Sequence, residues 1–293
     1  MSQRSLLVKP AQNSSTYHHL TAEDAGWTYL NFKALLLQKN ESITENTGEN
    51  EYCIVLLGGN FKVNSDKGNW ETTNGRKNVF SGIAHTLYLP RRTNFTLTAT
   101  KDNTDIAICW VATDEDHPPY FKQPEEAAIE FRGGDNANRQ INSLLQPGFD
   151  CHKIVCVEVY TPSGNWSSYP AHKHDVRKVD DAGNLLEADL EEIYFYKIDK
   201  PNGFAIQQVY NDDRSLDEII KVHSNEAVLV PEGYHPVVAG HGYNVYYLNF
   251  LAGSDQSLAN TPDPQQEWIF GTWKGQDPRL PMVTAEMNNN VRM

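Results

Sequence analysis

Apolar residues recur along the chain in short runs. In the first half these are Glu51–Leu57, Thr86–Pro90, Phe95–Thr100 and Asp105–Ala112. In the second they are Lys153–Thr161, Glu192–Ile198, Gly203–Tyr210, Glu218–Val222, Ala227–Pro231 and Asn244–Leu251. The runs are rich in Val, Ile, Tyr and Phe, which favour extended backbone, and Gly, Asn, Asp and Pro bound them with turn chemistry. Long stretches of helical period are scarce. The pattern predicts an all-β protein built from sandwiches or barrels rather than from a parallel α/β sheet. The stretch from His117-Pro118-Pro119 to Gly133-Gly134-Asp135 is rich in Pro, Gly and charge and reads as a connector.

The two halves share an order. EYCIVLLGG, opened by Glu51, is followed by HTLYLP ending at Pro90 and then by DIAICWVAT. EIYFYKI, opened by Glu192, is followed by EAVLVP ending at Pro231 and then by NVYYLNFLAG. Glu51 to Pro90 and Glu192 to Pro231 are both intervals of 39 positions. The shared order predicts a tandem duplication, with one domain over residues 1–130 and a second over 131–293.

The length of 293 residues agrees with two domains, each with its own core. The net charge of −13 and scattered basic residues argue against nucleic acid and anionic membranes as partners, because both select clustered Lys and Arg. The apolar run after Arg4 is too short for a signal peptide, and no apolar stretch reaches the roughly 20 residues that span a bilayer. Cys53, Cys109, Cys151 and Cys156 lie in apolar runs without metal or redox spacing, as reduced thiols of a cytoplasmic protein do.

The chemistry concentrates in the second half. In Tyr169-Pro170-Ala171-His172-Lys173-His174 the two histidines are two apart, so on an extended segment both imidazoles face one way. His-x-His alone is a weak signal. The acidic pair Glu191-Glu192 opens the next strand, and Pro231-Glu232-Gly233-Tyr234-His235 brings a third imidazole at a strand end. Three His and one carboxylate on adjacent segments suit one divalent first-row metal ion per chain, Zn, Mn or Fe. Strand alternation alone does not choose between Glu191 and Glu192.

The order Gly164…His172-x-His174…Glu192…Gly203, then Pro231-x-Gly233…His235, resembles the two motifs of the cupin superfamily. GNWSSYPAHKHD, EEIYFYK, YNDDRSLDE and LVPEGYHPVVAGHGYNVYYLNFLAG resemble the 5-deoxy-glucuronate isomerases of myo-inositol catabolism. GWTYLNFKALLL and NRQINSLL extend that similarity over about residues 20–270. The related 4-deoxy-5-keto-uronate isomerases share the Pro-x-His-x-His element and a similar strand. The resemblance implies a bicupin: two tandem cupin barrels of jelly-roll type. It also implies His172, His174, Glu192 and His235 as metal ligands, Glu192 being the acid directly before the apolar-Tyr-Phe-Tyr run.

Two features depart from common cupins. Seventeen residues, Asp175–Glu191, separate the second His from the Glu where three or four are usual, a loop that reads as a lid or as a surface insertion. The second motif is one residue short before its His, which makes His241 the substitute ligand. In the first half Glu51 stands where Glu192 does, but no His-x-His precedes it and Asn94 takes the place of His235. That half is read as metal-free scaffolding or an oligomer interface, and a homo-oligomer is the expected assembly.

What the resemblance implies chemically is an aldose–ketose isomerase interconverting 5-deoxy-D-glucuronate and 5-dehydro-2-deoxy-D-gluconate by proton transfer through an enediol. The alternatives are a 4-deoxy-5-keto-uronate isomerase, a cupin dioxygenase and a non-catalytic sugar-binding protein. The chain carries no Gly-x-Gly-x-x-Gly for a nicotinamide. A sugar-acid substrate calls for a cationic anchor. Arg214, in the Asn211–Arg214 turn, is the first candidate, Arg139 the second and Arg177 the third. Tyr194, Tyr196, Tyr234 and Tyr246 are candidates to line the barrel, and no general base is identifiable.

Overall fold

The computed structural model describes residues 5–289. Two compact units share the chain. One takes the N-terminal segment to Lys9, Ile129–Ser143 and Val157–Met282. The other takes Pro10–Ala128, Leu144–Cys156 and the segment from Val283.

In the second-half unit a seven-stranded sheet runs in the order Leu7–Val8, Ala227–Val230, Leu190–Ile198, Val245–Gly253, Val155–Thr161, Arg139–Leu145, Ala128–Arg132. A four-stranded sheet runs Trp166–Ser167, Val237–Ala239, Ala205–Tyr210, Asp217–Val222. Alternation turns Tyr194, Tyr196, Val228, Val230 and Tyr247 of the first sheet inward, onto a core shared with Ala205, Val209, Ile220, Val222 and Val237 of the second. Each such fully buried side chain contributes on the order of 1.5–3 kcal/mol, and no metal or disulfide is needed to close the core.

The first-half unit repeats the plan. Thr86–Leu89, Asn50–Gly58, Thr104–Ala112 and Asn31–Leu37 are successive neighbours in one sheet. They correspond to Ala227–Val230, Leu190–Ile198, Val245–Gly253 and Val155–Thr161. Facing them, Asn94–Ala99, Phe61–Ser65 and Gly68–Glu71 match Val237–Ala239, Ala205–Tyr210 and Asp217–Val222. The two sheets share Ile54, Leu56, Leu87, Leu89, Ile106, Ile108, Phe61, Val63, Phe95 and Leu97 as a core. All four cysteines are buried, and none is in a disulfide. Among the described residues no helix is long and apolar enough to cross a membrane.

Every predicted run coincides with a strand to within two residues at either end, but the predicted connector is not a loop. It contributes the strands Tyr120–Lys122 and Ala128–Arg132. Its prolines stand outside both strands, so the ladder loses no donor. Phe61–Ser65 escaped the pattern reading because it alternates with polar residues instead of forming an apolar run.

One equivalence is corrected. Tyr52 pairs with Leu89, whereas Glu192 pairs with Val230. The equal intervals therefore hide a one-residue difference in register, and one residue reverses the face of a side chain. Tyr52 occupies the core-facing position, and Glu51 points away from that core. Its carboxylate accepts hydrogen bonds from the backbone N–H of His152 (2.9 Å), Lys153 (2.7 Å) and Ile154 (3.0 Å) and from the Tyr88 hydroxyl (3.0 Å).

Glu51 is fully buried, and these four donors replace the water it loses. Glu51→Gln turns an NH2 toward N–H donors and removes the charge. It should destabilise the protein by about 3 kcal/mol in urea unfolding; a loss below about 0.5 kcal/mol would refute this account.

Candidate functional site

The segment Ala171–His174 is held from both sides. His172–Lys173 pairs with Thr261–Pro262, Asp263 N–H donates to Ala171 C=O (2.8 Å), and Leu190 N–H donates to His174 C=O (2.9 Å). Alternation sends Lys173 outward to Asp212 and turns His172 and His174 inward. Glu192 comes from the neighbouring strand, opposite Val230 and Leu251. His235 follows a turn at Gly233, whose φ of +89° favours glycine and whose Cβ, if present, would lie 2.5 Å from the Tyr210 carbonyl oxygen. Gly233 N–H is fixed by the Asp175 carboxylate (2.6 Å).

His174, Glu192 and His235 are buried, with ligating atoms all within 4.8 Å of one another. Glu192 Oε2 lies 3.0 Å from His174 Nε2 and 3.2 Å from His235 Nε2. Atoms bound about 2.1 Å from one ion at right angles sit about 3 Å apart, so the spacing fits a divalent metal. The protonation pattern fits as well. His235 Nδ1 donates to Gly233 C=O (2.7 Å), so Nε2 is the nitrogen turned to the Glu192 carboxylate, as the nitrogen free to ligate an ion. Both nitrogens of His174 face acceptors, Leu190 C=O (3.0 Å) and Glu192. The ring satisfies both as an imidazolium, or with a metal ion in place of the Nε2 proton.

His172 lines the same cavity, its ring 5.0 Å from that of His235, though its nitrogens stand outside the tight group of three. Burial, followed by the charges of His235, Arg139 and His174, pushes its imidazolium well below the usual range, so the ring is neutral at pH 7. Burial alone would raise the Glu192 carboxyl, but its contacts with His174 and His235 outweigh that and hold it at about 2. Burial would also lower His174, and the hydrogen bond to Glu192 reverses the sign and raises it.

The cavity below these ligands is lined by the inward rows of the large sheet. These are Glu130 and Arg132, paired with each other (2.8 Å), then Arg139, Ile141 and Ser143, then Val157 and Val159, then Tyr247, Asn249 and Leu251, then Tyr194. The Tyr194 hydroxyl meets Ser168 Oγ at 3.1 Å, and Tyr247 bonds Ser167. Burial raises both phenols, so both stay protonated at neutral pH.

The three arginine candidates separate cleanly. Arg214 lies on an exposed turn, paired with Asp217 (3.2 Å) and stacked 3.9 Å over the Tyr210 ring, and it is not among the cavity-lining residues. Arg177 is paired with Asp255 (2.7 Å). Arg139 is half-buried in the cavity wall with no ion-pair partner among the described residues, and burial lowers its pKa.

Other expected residues fall elsewhere. Tyr246 turns to the opposite face and donates to Glu158 (3.0 Å), while Tyr196 bonds Gln207 deeper in the core. Tyr234 donates to Asp212, and His241 is exposed. The 175–191 loop forms a small hairpin, Lys178–Val179 with Leu185–Glu187, and contributes no lining residue. A second His and acid group, Asp114, Glu115 and His152, is largely exposed. There Lys153 Nζ sits 2.9 Å from His152 Nε2, placing an ammonium where a cation would bind.

A family model described as KduI/IolB matches residues 6–269. The chain belongs to the KduI/IolB family. It is 38% identical to the 5-deoxy-glucuronate isomerase of Geobacillus thermodenitrificans, over 86% of this chain and 90% of that protein. To that of Bacillus subtilis strain 168 it is 37% identical, over 86% and 92%. A solved IolB-like protein from Salmonella typhimurium superposes with a TM-score of 0.86 at 35% identity, covering 91% of this chain and 99% of that one. Bacillus subtilis oxalate decarboxylase superposes with a TM-score of 0.60 at 10% identity, covering 89% and 80%, which shows the cupin fold alone.

The depressed Glu192 carboxyl makes a pH prediction. Its ionised form contributes stability above the ordinary value of 4.5, and that contribution is lost as pH falls toward 2. In EDTA, the urea-unfolding gap between the wild type and Glu192→Gln should narrow as pH drops below about 4.5. A gap independent of pH would show that the carboxylate charge is not its source.

Proposed function

We propose that the chain is an aldose–ketose isomerase converting 5-deoxy-D-glucuronate to 5-dehydro-2-deoxy-D-gluconate, with one divalent metal ion held by His172, His174, Glu192 and His235. The observation that carries this reading is one cavity lined by a metal-ligand group and by Arg139, a guanidinium with no ion-pair partner among the described residues. A bound Zn, Mn or Fe ion supplies Lewis acidity toward the carbonyl–hydroxyl pair at one end of the sugar acid. Arg139 supplies a bidentate cationic fork for the carboxylate at the other end, so Arg139 rather than Arg214 is assigned as the anchor. With both ends held, the reacting carbons are fixed beside the protonated hydroxyls of Tyr194 and Tyr247. These are suited to donate to oxygens that gain charge while a proton moves between C2 and C1 through an enediol. Relatives at 35–38% identity carry the 5-deoxy-glucuronate isomerase name, which favours this substrate over a 4-deoxy-5-keto-uronate.

Arg139→Ala should lower kcat/KM by roughly 30- to 1000-fold, a loss of about 2–4 kcal/mol, and a neutral analogue lacking the carboxylate should be insensitive to it. Arg214→Ala should stay near wild type. Equal losses on both substrates would make Arg139 structural.

The His172→Ala/His174→Ala double variant should lose stoichiometric metal in elemental analysis and stay folded in EDTA, because the core is apolar, with a melting temperature lowered by loss of the His174–Glu192 contact. Turnover by the Zn2+-loaded wild type should be unchanged under anaerobiosis. Dependence on O2 would replace the isomerase with a dioxygenase.

A further inference from the structure

The large sheet arranges the cavity wall in a definite sequence. Glu192 stands on Leu190–Ile198, Asn249 on its neighbour Val245–Gly253, Val157 and Val159 on the next strand, and Arg139 on the one after. Adjacent strands lie about 4.8 Å apart. The proposed substrate is ordered the same way: a carbonyl–hydroxyl pair, two further hydroxyl-bearing carbons, a methylene and a carboxylate.

Asn249 is the amide side chain that the second strand turns into the cavity. It is 3% exposed, yet its Nδ2 meets no acceptor among the described residues. It lies directly across from Tyr194 and diagonal to Glu192, about 7 Å away between Cβ atoms. Tyr194, though directly across, does not accept from that nitrogen. A buried amide donor without a partner is disfavoured, and one that lines a cavity is satisfied by what enters the cavity. The other buried amides without partners, Asn142 Nδ2 and Gln207 Nε2, do not line this cavity.

We propose that Asn249 is a substrate-binding residue whose amide donates to the hydroxyls in the middle of the sugar acid, between the metal-ligand end and the Arg139 end. This rests on the isomerase reading above. Val157 and Val159, one strand further on, then face the methylene, which needs no hydrogen bond. A sugar acid lying across the strands in this order meets a polar, an apolar and a cationic group in turn.

The test is steady-state kinetics of the metal-loaded enzyme on 5-deoxy-D-glucuronate. Asn249→Leu keeps the size and removes the donor. It should lower kcat/KM by about 10- to 100-fold, chiefly through KM, with metal content unchanged and no fall in melting temperature. Asn249→Asp keeps the shape, removes the donor and adds a charge that repels the substrate, so its loss should be at least as large. Wild-type-like kcat/KM in either variant overturns the assignment, as does loss of metal in both, which would make Asn249 part of the ligand scaffold. A wild type inert toward 5-deoxy-D-glucuronate overturns the isomerase reading itself, and this inference with it.

Discussion

A carboxylate buried at the mouth of an apolar core is the constraint around which the second-half unit is organised. Glu192 is 4% exposed, and an ionised carboxylate so placed persists only if cationic or donor groups replace its water. Two imidazoles do so, each oriented from behind by a backbone carbonyl, Leu190 for His174 and Gly233 for His235. The left-handed glycine, the Asp175 contact that fixes it and the pairing of Ala171–Lys173 with Thr261–Asp263 all serve that orientation. The same arrangement suits a divalent ion, since it presents lone pairs at metal-binding distances with their second nitrogens already occupied.

The duplicated unit shows what becomes of the fold without that constraint. Its sheets keep the same neighbours, yet the core-facing position holds Tyr52, and the adjacent carboxylate faces the other way. Glu51 binds three consecutive N–H groups of the 152–154 backbone instead of histidines. One architecture thus accommodates a buried carboxylate in two ways, and a single residue of register decides which face it serves.

The arginines illustrate how charge is allotted. Arg214 and Arg177 are satisfied by carboxylates of their own surroundings, so neither has a vacant fork to offer. Arg139 is half-buried with no such partner among the described residues, and the cost of burying a guanidinium is recovered when an anion enters. A pairing census therefore discriminates among them where position along the chain did not.

Much of this was legible in the residues. Short apolar runs rich in Val, Ile, Tyr and Phe specify strands, their shared order points to two like units, and His-x-His with a distant His places three imidazoles near one strand end, because these are properties of local backbone and spacing. NVYYLNFLAG even carried the clue to Asn249, an amide in an otherwise apolar run, and alternation there separates Tyr247 from Tyr246. Register was not legible, since the 39-residue interval is the same in both halves while Tyr52 and Glu192 occupy the core-facing positions. Nor was the choice between Arg214 and Arg139. That depends on Asp217 pairing with one and on the carboxylate nearest the other, Glu130, pairing with Arg132 instead, and such proximity exists only once distant strands have been brought side by side.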